Sequence, residues 1–128
     1  MAKGLKLEDL EVYKVSMEIG DIVWTVVNKW EYFSKKTLGA QYVDAADSIA
    51  LNISEGYGRF HFKENKNFCY YSRGSAKETL TATTKAKTRN LISDEEFNLL
   101  TQKLDVYFRL MYGYINSIGT KGIDNTCE

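Results

Sequence analysis

Residues 93–118 read SDEEFNLLTQKLDVYFRLMYGYINSI. Ser93, with Glu96 three positions on, makes a capping box in which the hydroxyl accepts a backbone N–H and the carboxylate reaches back. Phe97, Leu100, Leu104, Tyr107, Met111, Ile115 and Ile118 then recur at spacings of three and four, which predicts one amphipathic helix over 93–118. A weaker second stripe of Leu99, Val106 and Leu110 predicts contact beyond the monomer.

Working back from this helix, the same period predicts three more. Helix three is expected over 62–89, with a core face of small residues (Ser72, Ser75, Thr79, Ala82 and Ala86) and Phe68 as the large exception. Small residues let helix axes approach closely. Asn90-Leu91-Ile92 reads as its connection to helix four. Helix two is expected over 37–57 on Leu38, Tyr42, Ala45, Ile49, Ile53 and Gly56, with Thr37 as its cap and Gly56 and Gly58 opening the next turn. Helix one is expected over 7–33 with two apolar stripes. Leu10, Tyr13, Met17, Trp24 and Val27 form the first, and Val12, Val15, Ile19, Ile22, Val26, Trp30 and Phe33 the second. An outer helix of a small monomer needs one stripe. The second therefore predicts an oligomer interface through Val15, Ile19, Ile22, Val26 and Trp30, joined by Leu99, Val106 and Leu110.

The chain has no proline, so nothing removes a backbone donor inside these helices. Short connections between long helices favour antiparallel neighbours. The expected fold is all-α, an antiparallel up-down-up-down four-helix bundle. One domain over 1–128 is expected, with residues 119–128 as a frayed tail.

Composition narrows the function classes. Hydrophobic residues are 44% and charged ones 27% of the chain, too apolar for a disordered tail. No apolar run approaches the length of a membrane span, and no signal-peptide core precedes Glu8 and Asp9, so a cytoplasmic protein is expected. Seventeen basic residues balance seventeen acidic ones. Two cysteines, Cys69 and Cys127, form no disulfide framework. One histidine, His61, has no Glu-x-x-His motif around it, so no metal and no cofactor is expected. No nucleophile–base set and no phosphate loop is present either, so no catalytic residue is assigned and no small-molecule substrate is expected.

Two constellations remain. Gln41, Ser48, Asn52, Glu55 and Arg59 lie on one flank of helix two, and Arg73, Ser75 and Glu78 on helix three. They are expected to meet across the hairpin as a buried network that fixes helix register. The alternative is a small enzyme using Glu55 and Glu78 for acid–base work. The other constellation is charge. Residues 61–90 hold seven Lys or Arg against two Glu, whereas residues 5–33 carry a net charge of −3. Lys63, Lys66, Arg73, Lys77 and Lys85 lie along one side of helix three with Tyr70 among them, a pattern that suits a phosphate backbone. A solvated face, or one that pairs with the acidic helix one of a neighbouring subunit, is the alternative.

The stretches Leu7-Glu-Asp-Leu-Glu-Val-Tyr13, Gln41 with Ala45 and Ser48-Ile49, Asn52-Ile-Ser-Glu-Gly-Tyr-Gly-Arg59, and Arg73-Gly-Ser75 with Glu78 together resemble the four-helix bundle protein family, also called the 23S rRNA-intervening-sequence protein family. The resemblance covers about residues 5–118. It implies a bacterial cytoplasmic protein with four antiparallel helices and a ring-like homo-oligomer, typically a pentamer. Relatives include proteins encoded within ribosomal RNA intervening sequences. They also include the basic accessory protein of diversity-generating retroelements, which binds nucleic acid and a reverse transcriptase. The implied function is a non-enzymatic scaffold that docks RNA, DNA or a nucleic-acid enzyme through helix three, with a pure protein–protein scaffold as the alternative. Family members often carry a basic pair at the positions of Val43 and Asp44, so one phosphate contact is missing here.

Overall fold

The computed structural model describes residues 6–119, all of whose regular structure is helical. The expectation of a frayed tail lies, past Gly119, outside the described residues. A 3₁₀ turn, Leu7–Asp9, leads through the extended Leu10 into helix α1, Glu11–Asn28. Helix α2 is one continuous run made of Tyr32–Ser34, a π-helical turn Lys35–Gly39, and Ala40–Tyr57. Helices α3, Phe62–Thr88, and α4, Asp94–Ser117, complete the chain.

The break between α1 and α2 falls at residues 29–31, not at the expected 34–37. Glu31 is extended, and the Trp30 ring turns inward to lie 6.0 Å from that of Tyr42. The expected Thr37 cap sits inside the helix, its hydroxyl donating to the Phe33 carbonyl at 2.7 Å. A π turn takes an extra residue and shifts the apolar phase, so in sequence it imitates a break.

Each helix packs on two neighbours in cyclic order, α1 on α2, α2 on α3, α3 on α4 and α4 on α1. The α1–α2 pair and the α3–α4 pair therefore lie on opposite sides of the bundle. The core runs through Ile19, Val23, Ile49, Ile53, Leu100, Leu104 and Met111, all essentially without solvent contact. Each such side chain contributes about 1.5–3 kcal/mol on burial.

This cyclic packing corrects the expected interface. Val15, Ile19, Val26 and Trp30 are buried in the monomer's own core, and Ile22, Val106 and Leu110 are partly buried against it. A helix that touches two neighbours needs a wide apolar arc, and two stripes supply one. Among the expected interface residues only Leu99 is exposed.

The tightest approach is between α2 and α3. A Cβ on Gly56 would lie 2.7 Å from both Asn65 Oδ1 and Phe68 Cβ, so only glycine fits there. Two polar junctions cross the core nearby. Ser72 donates to the Ile49 carbonyl at 2.8 Å and accepts from the Tyr107 hydroxyl at 2.6 Å, joining three helices. Thr83 donates to the Thr79 carbonyl and is left to accept from Tyr42 at 2.6 Å. Burial pushes the Tyr42 phenol up to about 12, so it stays a donor.

The termini of α3 and α4 follow their local chemistry. Asn90 takes φ +60°, and Leu91 N–H returns to the Ala86 carbonyl at 2.8 Å, the bond pattern of a Schellman stop. Ser93 and Glu96 close the expected capping box at 3.0 and 2.9 Å. Glu96 also accepts from Lys29 at 2.6 Å, tying the start of α4 to the end of α1.

Candidate functional site

The polar seam does not assemble as expected. Glu55 pairs with Arg59 at 2.7 Å within α2, and both are exposed. Arg59 also lies over the Phe68 ring, 4.9 Å from its centre. Asn52 donates to the Ser48 carbonyl and Ser48 to the Asp44 carbonyl, each one turn back on its own helix. Ser75 offers its carbonyl to Thr79, while Gln41, Arg73 and Glu78 face solvent. Exposed charges stay hydrated and pair with the nearest partner one turn away, so no bridge forms between Glu55 or Arg59 and Arg73 or Glu78. Register is held instead by Ser72, Tyr107, Tyr42 and Thr83, whose hydroxyls are buried.

The basic side of α3 is present but divided. Lys63, Tyr70, Arg73, Lys77 and Lys85 are exposed and Lys66 is half-buried. Arg73 stands over the Tyr70 ring at 5.0 Å, and Lys77 stands 4.4 Å above the Phe108 ring of α4. Tyr70 and Arg73 line a shallow hollow with Tyr112, itself 70% exposed. Lys85 lies apart, beside Gln41 and Arg89 in a hollow between α2 and α3. Neither Arg73 nor Lys77 is in an ion pair among the described residues.

A second surface lies across the bundle, between α1 and α2. Trp24, Met17 and Leu51 are 61%, 45% and 65% exposed along it. Trp24 borders a cleft of ≈ 450 Å³ with Val43, Asp44 and Asp47, and Met17 and Leu51 border an adjoining one of ≈ 310 Å³ with Asp21 and Asp47. Asp47 is shared by both, above the close approach at Gly20, where a Cβ would stand 2.8 Å from its Oδ1. Burial raises the Asp47 carboxyl above its ordinary 3.8, and the charges of Asp21 and Asp44 push it the same way. Met17 and Trp24 belong to the first of the two apolar stripes read from sequence on helix one. Leu51 sits off the α2 stripe, and that was the legible sign of an apolar residue facing outward.

Among the described residues no group of His, Cys, Asp and Glu is placed to hold a metal ion. No helix among them is long and apolar enough to cross a membrane. Cys69 is buried on α3, and desolvation lifts its thiol to about 12.

A comparison with protein-family models matches residues 8–113 to the family described as 23S rRNA-intervening sequence protein. The chain belongs to that family. The match runs from α1 into α4, as far as residue 113, and takes in the residues named for both surfaces. Among curated proteins none matches the chain.

Proposed function

We propose that this member of the 23S rRNA-intervening sequence protein family is a non-enzymatic scaffold, an antiparallel up-down-up-down bundle that assembles with copies of itself in the bacterial cytoplasm. The helix direction is supported by the α2–α3 contacts: Tyr42, Ile49 and Gly56 meet Thr83, Ser72 and Asn65 in turn, so one helix descends as the other climbs. The observation that carries self-assembly is the groove in which Trp24, Met17 and Leu51 stand in water together. Apolar surface grouped in this way marks an interaction site. The pentamer implied by the resemblance is the expected size. Light scattering at micromolar concentration tests it: a multiple of the 14.7 kDa chain mass is expected, and a monomer overturns the reading.

Docking of nucleic acid or of an enzyme that works on it is a second reading, favoured by the cations of α3 that have no carboxylate partner. Repetition of a weak basic patch around an assembly multiplies its affinity. Binding of structured RNA and duplex DNA is measured at about 50 and 200 mM salt, with Lys63→Glu and Lys66→Glu combined as control. Affinity that falls steeply with salt and is lost in the control supports this reading. No binding at the lower salt leaves a protein–protein scaffold. The third reading, acid–base catalysis by Glu55 and Glu78, has the least support, since Glu55 is exposed and engaged by Arg59.

A further inference from the structure

We infer that copies of this chain join head to tail, the acidic apolar α1–α2 groove of one copy receiving the cationic aromatic α3–α4 edge of the next. The inference rests on the self-assembly reading and names the two surfaces that it uses.

Three observations carry it. The first is charge complementarity. Asp21, Asp44 and Asp47 line the groove, and none is in an ion pair among the described residues. Lys35, at one end of the same cleft, is the cation that shares its lining. Across the bundle, Arg73 and Lys77 lie against rings and have no carboxylate. Each surface lacks what the other offers. The second is apolar matching, because Trp24, Met17 and Leu51 on one side find Tyr70 and Tyr112 on the other. An arginine already stacked on a tyrosine is a low-entropy anchor for an exposed indole and nearby carboxylates.

The third observation is placement. The two surfaces occupy opposite sides of the bundle because the helices pack in cyclic order. A two-fold dimer pairs one patch with itself, and here that sets carboxylate against carboxylate or cation against cation. Opposite, complementary patches instead give a heterologous contact, which repeats until it closes as a ring or extends as a filament. Burial, and then the charges of Asp21 and Asp44, disfavour the charged form of Asp47 in a lone chain. A neighbour's guanidinium set beside these carboxylates opposes that repulsion.

The test uses charge reversal read by light scattering, with circular dichroism to verify folding. One variant carries Asp21→Lys and Asp47→Lys, a second carries Arg73→Glu and Lys77→Glu, and a third carries all four. Association of each two-site variant should weaken by about tenfold or more. The four-site variant should regain the wild-type mass, and mixing the two-site variants should produce association that neither shows alone. If the wild type is a monomer, the self-assembly reading fails and this inference with it. If the wild type is an oligomer but the two-site variants keep its mass, or the four-site variant does not recover, the head-to-tail contact is wrong and self-assembly stands. Should a variant fail to fold, the wild-type indole decides. Trp24 emission, separated from that of Trp30 with Trp24→Phe, must shift to the red on dilution, and an unchanged spectrum overturns the proposal. RNA that binds a monomer through Arg73 and Lys77 likewise overturns it, by assigning that edge to nucleic acid.

Discussion

Ser72 serves two helices with one hydroxyl, donating to the Ile49 carbonyl on α2 and accepting from Tyr107 on α4. Ser72→Ala leaves the Tyr107 hydroxyl buried without a partner, which costs about 1–3 kcal/mol. Chemical denaturation should show a lower midpoint, and Tyr107→Phe in the same background should recover part of the loss. Glu55→Ala behaves differently. Its pair with Arg59 is exposed, so the variant should lose only about 0–1 kcal/mol. A thermal melt well below the parent's would restore the buried network read from the sequence. That reading went astray for a definite reason: spacing places charged residues on a flank but does not say whether the flank is under protein or under water. The hydroxyls that do cross the core, Ser72, Thr83, Tyr42 and Tyr107, lay within the stripes or beside them and passed as packing residues.

At the scale of elements, the ends of α3 and α4 were the most legible parts, because capping chemistry is local. Glu96 makes one of them pH-sensitive. Its hydrogen bond to Lys29 and that with the Ser93 backbone hold the Glu96 carboxyl below its ordinary 4.5. A carboxylate depressed in the folded state contributes stability at every pH above its unfolded value, and that contribution fades as pH falls through the lower folded one. Urea midpoints taken across the acid range should therefore drop below about pH 4.5, and the drop should be smaller for Glu96→Gln. The α2–α3 hairpin offers a sharper test of packing. Gly56→Ala puts a methyl group 2.7 Å from Phe68 Cβ, where overpacking costs about 1–3 kcal/mol, and denaturation should register it. The junction of α1 and α2 was the least legible. The π turn at Lys35–Gly39 absorbs an extra residue within a continuous helix, and no pattern based on a period of 3.6 anticipates that.

For the whole molecule, the four apolar periodicities were enough to reach four helices and one core. They were not enough to tell which stripe of α1 faces inward. Val15, Ile19 and Val26, assigned from spacing to an oligomer interface, are core, while Met17 and Trp24 stand in solvent. Stripes of similar hydrophobicity differ only through what the neighbouring helices cover, which is a tertiary property. Leu51 and the acidic residues Asp21, Asp44 and Asp47 were the local hints that the α1–α2 side is a surface. The central claim is that this surface is covered by another copy. Light scattering across a concentration series, on the wild type and on Trp24→Asp, tests it most directly. The wild type should run as a multiple of 14.7 kDa, and Trp24→Asp should fall to 14.7 kDa with its helicity intact. A wild type that remains at 14.7 kDa at every concentration would contradict the claim.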